Sequence, residues 1–408
     1  MDFFNVVSVD KAKQILSDEF KDIKMDEEIV FINDALFRYL KNDIIAEDNV
    51  PEFDRSSVDG YAIIVQDSHG SSSAIPSVLS LLGQVKMGEY TDKEIKSGEA
   101  IYVPTGGMLP KNATGMIMIE HCEKMDEGTL LISKPITNGE NVVYKAEDIE
   151  KGKVVLKKGQ KIGAKEIGVL ASLGINKVSV FKKPRVYIIS TGDEIIGINE
   201  KLEPGKIRDI NSYTLESLVH GSGGLVSGKE IIKDDFEALL SCVQRATGLS
   251  DIVLLSGGSS VGTKDYTYKV INSIGGRGVF VHGLAIKPGK PTIIGDGKGK
   301  LIIGLPGHPV SSIVVYKAII EPFIKELFHS DDLLPRVMAK TSHNFPSSPG
   351  KQTYHMVKLK EEDGGYFAIP SFGKSGMITL LSESDGYIEI KEHEEGINTG
   401  VLREVFLL

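Results

Sequence analysis

Residues 251–266 read Asp-Ile-Val-Leu-Leu-Ser-Gly-Gly-Ser-Ser-Val-Gly-Thr-Lys-Asp-Tyr. The run 251–255 is short and apolar, which predicts a strand buried on both faces. Glycines and serines follow, and the pattern from 266 to 274 predicts a helix. Strand, glycine turn and helix make the repeating unit of a parallel sheet. In such sheets, ligands sit at the carboxyl ends of the strands. Gly257 and Gly258 let backbone N–H groups converge without Cβ obstruction, and Ser256, Ser259 and the start of the helix add donors. That is an anion cradle, suited to a phosphate or a similar oxyanion and reaching Gly262. A plain strand–helix turn would use the same residues, and the Walker order GxxxxGK[ST] is absent.

The same texture extends over 184–330. Strands are predicted at 185–190, 279–281, 292–294 and 301–303, and helices at 212–219, 234–246 and 310–328. This implies a three-layer α/β domain with a parallel sheet. Upstream, Val9, Ala12, Ile15, Leu16 and Phe20 predict a helix capped by Ser8. Ile29, Ile32, Ala35, Leu36, Tyr39 and Leu40 predict a second helix. Between 48 and 183 short β-like runs alternate with glycine turns: 61–65, 78–85, 100–103, 115–119, 130–132 and 154–156. They predict an antiparallel β region, followed by a short helix within 159–174. Beyond a linker at Asp331, Asp332 and Pro335, residues up to 408 predict a small β barrel or sandwich. The division expected is 1–50 with 146–183, an inserted β-rich unit 51–145, the α/β domain 184–330 and a C-terminal β domain 331–408.

The chain has 408 residues, 41% of them hydrophobic and 25% charged, which excludes a disordered or fibrous protein. The net charge of −9 argues against a general nucleic-acid binder, yet leaves room for a local basic pocket. Cys122 and Cys242 make no disulfide framework and no metal-binding CxxC, as expected in a reducing compartment. The N-terminus has no signal-peptide pattern, and no run is apolar and long enough to cross a membrane. A cytoplasmic protein is therefore expected.

Four further segments can carry chemistry. Ser190-Thr191-Gly192-Asp193-Glu194 ends the first α/β strand, and Lys206-Ile-Arg-Asp209-Ile-Asn211 follows. Acidic side chains at strand ends bind Mg²⁺ or move protons, although Asp and Asn also favour turns and caps. Lys287-Pro-Gly-Lys290-Pro291 is a rigid basic spot suited to an oxyanion, or a solvated lysine loop. In Gly304-Leu-Pro306-Gly307-His308-Pro309-Val-Ser311 the prolines fix the backbone, and His308 is either an acid–base residue or a positioning one. In the β region, Asp54-Arg-Ser-Ser-Val-Asp59, Thr105-Gly-Gly107 and Ala146-Glu-Asp148 read by themselves as turns.

Taken together, FDRSSVDGYA, TGGMLP, AEDIEKG, STGDE, KIRDIN, SGGSSVGTKDY, AIKPGKP and GLPGHPVS, in this order, resemble the MoeA family, also found as the E domain of gephyrin. The resemblance spans the whole chain. It implies a molybdopterin molybdenumtransferase of molybdenum-cofactor biosynthesis. Such an enzyme inserts molybdenum from molybdate into adenylylated molybdopterin and releases AMP with Mg²⁺. It also implies an elongated homodimer, in which Asp59 and Thr105 act on the partner's cleft. Asp59, Glu194, Asp234 and Asp265 are then the catalytic candidates, the last three holding the metal. Thr105, Asp148, Thr191, Gly192 and Asp209 would bind substrate, with Ser256–Gly258, Ser259 and Gly262 on its phosphates. Lys287 and Lys290 would take the oxyanion, and Pro306, Gly307, His308 and Pro309 would complete the site. A molybdopterin adenylyltransferase upstream and molybdoenzymes downstream are the further partners implied.

The chain departs from the family pattern at Thr114 and Gly115, where an Asp is usual. It departs again at His308, often Asn, and at Met356, near an expected Arg. Alternatives are a tungstate-inserting paralogue, an adenylyltransferase-like enzyme on the same α/β domain, and a scaffold.

Overall fold

The strand Ile252–Ser256 lies inside a six-stranded sheet of a computed structural model that describes residues 6–257, 266–362 and 364–408. The order is Leu225–Ile232, Arg185–Thr191, Ile252–Ser256, Lys300–Leu305, Ile293–Gly297, Gly278–His282. The first four run parallel. Ile293–Gly297 runs antiparallel to both its neighbours, so the sheet is mixed where sequence predicts a parallel one. The reason is local. Only Lys298 and Gly299 separate Ile293–Gly297 from Lys300–Leu305, and both have positive φ, 55° and 77°. A two-residue turn of that kind makes a hairpin, which forces antiparallel pairing. Leu225–Ile232 gave no sequence signal because it is an edge strand with no fully buried residue.

Alternate residues of the central strands enter two cores. Ile188, Ile252, Leu254 and Ile303 pack with Leu215 and Val219 of the helix Asn211–Gly221 and with Val310 and Val314. Ile189, Val253, Leu255 and Ile302 pack with Leu239 and Val243 of Phe236–Leu249 and with Val270 and Ile271 of Tyr266–Ser273. Helices therefore cover both faces, which is why the strands are apolar without alternation. The long helix predicted from 310 is three continuous pieces, Pro309–Val315, a π turn Tyr316–Ile320, and Glu321–Leu327. Pro322 lacks the N–H that would continue the ladder, and the π turn absorbs the mismatch.

Helix Val9–Glu19 is capped by Ser8, whose Oγ accepts from Lys11 N at 3.2 Å. The second predicted helix is a strand, Glu27–Phe31, followed by a short 3-10 turn Ile32–Asp34. The run Ile29-Val-Phe-Ile32 has high strand propensity, and it pairs antiparallel with Lys177–Phe181. Phe37 at φ 62° stops any helix beyond.

The β region forms a six-stranded sheet, antiparallel as expected except where Ser77–Gln84 runs parallel to Glu99–Val103. The excursion over 85–98 is long enough for that crossover. Its core explains one departure. A Cβ on Gly115 would come 2.8 Å from Val65 Cγ2, and Thr114 Oγ1 accepts from Val65 N at 2.8 Å. At the C-terminus, Gln352–Glu362, Gly365–Pro370, Arg336–Thr341, Leu402–Leu407 and Gly386–Ile390 close into a five-stranded barrel around Ala339, Val357, Ala368, Ile388 and Val405. Met356 is 4% exposed and packs in the core with Tyr387, so it is a core residue here. Among the described residues no helix is long and apolar enough to cross a membrane.

Candidate functional site

The carboxyl ends of the parallel strands open into a cleft of about 830 Å³. Thr191, Gly192 and Glu194 reach it from the end of Arg185–Thr191, and Ser256 and Gly257 from the end of Ile252–Ser256. Pro306, Gly307, His308 and Pro309 follow Lys300–Leu305. Asp209 and Asp234 complete the set of predicted residues that the fold brings together.

Backbone geometry requires glycine at the floor. Gly257 has φ +107°, and a Cβ there would stand 2.2 Å from the Thr191 carbonyl oxygen. Gly307 faces it, since its own Cβ would lie 3.7 Å from Gly257 Cα. Two strand ends thus approach backbone to backbone, leaving their polar groups near a ligand.

A buried polar hub holds these strand ends. Asn211 Nδ2 donates to Ser256 Oγ at 2.6 Å and to the Gly307 carbonyl at 2.7 Å. Asp209 Oδ1 accepts from Ser190 Oγ at 2.9 Å and from Ser212 N, in the first turn of the helix Asn211–Gly221, at 3.1 Å. Asp209 is only 5% exposed, so its first task is to position the hub. Glu194 is exposed at the cleft, and Gly192 lacks the side chain that would collide with its carboxylate. Asp234 N donates to Asp193 Oδ1 at 3.2 Å.

The outer wall comes from the C-terminal domain. Gly376 lines the cleft, and Ser375 Oγ lies 2.9 Å from His308 Nδ1. Val310 N donates to the Ser375 carbonyl at 3.2 Å. Sequence reasoning missed this wall because the contact spans 67 residues and Ser375-Gly376 carries no motif. Asn211, Ser311 and Arg208 lay inside quoted motifs without an assigned role, and all three line the cleft.

Other predicted residues lie elsewhere. Lys287 and Lys290 are exposed and outside the lining, although Pro291 of the same loop reaches it. Lys287 pairs through its backbone with Thr353 of the barrel. Asp59, Thr105 and Asp148 are exposed in the β region and outside the cleft of their own chain. Asp59 and Thr105 do meet, with Thr105 N donating to Asp59 Oδ1 at 2.9 Å. Gly258, Ser259, Gly262 and Asp265 lie outside the described residues.

Residues 7–174 match the MoeA N-terminal region (domain I and II), and 338–408 the MoeA C-terminal region (domain IV). Residues 187–326, which carry the cleft, match a probable molybdopterin binding domain. A relative from Methanocaldococcus jannaschii, named for molybdopterin biosynthesis, is 36% identical and covers 99% of this chain and 98% of its own. The chain belongs to the MoeA family. A molybdopterin molybdenumtransferase of Staphylococcus aureus is 30% identical over 93% of this chain and 90% of its own. Two solved MoeA structures from Pyrococcus horikoshii, 37% and 30% identical, superpose with TM-scores of 0.80 and 0.81. Each covers 99% of this chain.

Proposed function

We propose that this MoeA chain is a molybdopterin molybdenumtransferase, inserting molybdenum from molybdate into adenylylated molybdopterin with release of AMP. One observation carries the reading. The strand-end cleft gathers donors, carboxylates and close-approach glycines from segments more than 100 residues apart, in the region that matches a molybdopterin-binding domain.

The acidic lining suits Mg²⁺. Among the described residues no three His, Cys, Asp or Glu side chains form a ready-made cage. Mg²⁺ seldom needs one, because it binds through one or two carboxylates, waters and the substrate's own phosphates. Glu194 and Asp234 would hold it, with Asp265 the third sequence candidate. When bound, Mg²⁺ neutralises charge that develops on the phosphoanhydride.

The chain's own groups do the remaining work. Ser256, Gly257 and Gly307 offer hydroxyl and backbone groups at the floor, where a phosphate of the substrate would rest. Asp209 and Asn211 keep those strand ends in register. The basic loop of Lys287 and Lys290 would receive molybdate. A molybdate oxygen would attack the adenylyl phosphorus and depart in AMP, the P–O bond to the molybdopterin phosphate would break with that phosphate as leaving group, and the two dithiolene sulfurs would bind the metal as a second oxo group leaves as water with their two thiol protons.

Asp59, Thr105 and Asp148 are exposed away from their own cleft, which supports a homodimer in which they complete the cleft of the second copy. A cytoplasmic location, an adenylyltransferase as supplier and molybdoenzymes as receivers complete the proposal.

The test is AMP release from adenylylated molybdopterin by purified protein with Mg²⁺, with and without molybdate or tungstate. Oxyanion-dependent release is expected. Release with tungstate only would replace molybdenum by tungsten in the assignment, and no release with either would overturn the enzyme.

A further inference from the structure

Among the described residues the cleft lining carries more carboxylates than cations. Glu194, Asp209 and Asp234 line it, and the substrate proposed above brings further negative charge on its phosphoanhydride. Lys287 and Lys290 do not line it. Among the described residues, the one lining side chain with a permanent positive charge is Arg208.

Arg208 sits on a flap at the cleft mouth. The short strand Ile207–Arg208 runs parallel to Ile195–Ile196, and residues 197–206 loop outward between them. Arg208 Nε donates to the Ile198 carbonyl at 3.2 Å, which tethers the guanidinium. Its terminal nitrogens make no hydrogen bond or ion pair among the described residues, and the side chain is exposed. The adjoining residues are committed to structure, with Asp209 on Ser190 and Asn211 on Ser256 and Gly307. Arg208 alone of this segment presents an anchored cation with two open N–H edges, the form that suits bidentate contact with a phosphate.

We propose that Arg208 is a substrate-binding residue that grips a phosphate of the adenylyl phosphoanhydride and offsets the carboxylates of the cleft. The proposal rests on the nucleotide-bearing substrate assigned above. A residue that only tied down the flap through Ile198 would leave affinity indifferent to ligand charge. A phosphate grip ties affinity to that charge.

The experiment is calorimetric titration of the full-length protein with AMP and with adenosine, in Mg²⁺. Wild type is expected to bind AMP about tenfold or more tighter than adenosine, a preference that shrinks in high salt. Arg208→Gln is expected to lose about tenfold in AMP affinity while binding adenosine as wild type does, which also reports that the cleft is folded. Arg208→Lys should recover part of the loss, because it keeps the charge and loses the fork. An Arg208→Gln protein that keeps the wild-type preference would overturn the assignment. So would one that loses adenosine as much as AMP. If wild type itself does not prefer AMP to adenosine, the nucleotide reading of the cleft fails, whatever Arg208 does.

Discussion

Replacing Asn211 by Ala should loosen the floor of the cleft selectively. The amide spends both hydrogens on the hub, one on Ser256 Oγ and one on the Gly307 carbonyl. Ser256 is 3% exposed, so its hydroxyl would lose a partner that water replaces only in part. An abandoned buried partner costs about 1–2 kcal/mol, and the more exposed Gly307 carbonyl about 1 kcal/mol. The sum is about 2–3 kcal/mol. At about 1.4 kcal/mol per factor of ten, that is roughly 30- to 150-fold in local opening. Hydrogen exchange by mass spectrometry reads this directly, since it resolves opening segment by segment. Peptides covering 252–257 and 301–307 should exchange faster by about that factor, while barrel peptides within 352–362 stay unchanged. Ser256→Ala and the double variant close the cycle, with a coupling of about 1 kcal/mol expected. Exchange in 252–257 within about threefold of wild type would refute the hub as what holds the strand ends.

Gly257→Ala should cost about 1–3 kcal/mol from its positive φ alone, and more because the Thr191 carbonyl must move; AMP affinity should fall with the melting temperature. Glu194→Gln and Asp234→Asn should each raise the Mg²⁺ concentration needed for half-maximal AMP release without lowering thermal stability, and an unchanged Mg²⁺ dependence in both would remove them from the metal. Burial holds His355 below the usual histidine value, aided by the nearby charge of Lys287 and opposed by its 2.7 Å bond to the Pro346 carbonyl. Its stabilising effect is therefore present above about pH 6.5 and lost as pH falls; His355→Gln should flatten the melting-temperature decline between about pH 7 and 5.5. Burial pushes the Cys242 thiol up to about 11 and Cys122 up to about 12, so iodoacetamide at neutral pH should label neither until the chain unfolds.

Much of the α/β domain was legible because its signals are local. A both-sides-buried strand such as Ile252–Ser256 is a plain apolar run, and the turns after it carry the glycines that close approach demands. The misreadings have local physical causes too. The stripe from Ile29 to Leu40 has helical spacing, but strand pairing with Lys177–Phe181 outweighed it. The mixed sheet turned on one dipeptide, Lys298-Gly299. Asp209 and Asn211 were visible as polar residues after a strand, but sequence could not divide structural from chemical duty. That division emerges only from their bonds to Ser190, Ser256 and Gly307. The wall at Ser375 and Gly376 had no signal, since it exists only where the barrel meets the α/β domain.

Under the proposed function, metal insertion and anhydride cleavage are one coupled event. The most direct measurement is the ratio of molybdenum bound to the dithiolene to AMP released, taken in a single turnover of purified protein on adenylylated molybdopterin. One metal per AMP is expected, with both falling together in Glu194→Gln. Stoichiometric AMP release with no metal captured would contradict it, and would leave the protein a simple hydrolase.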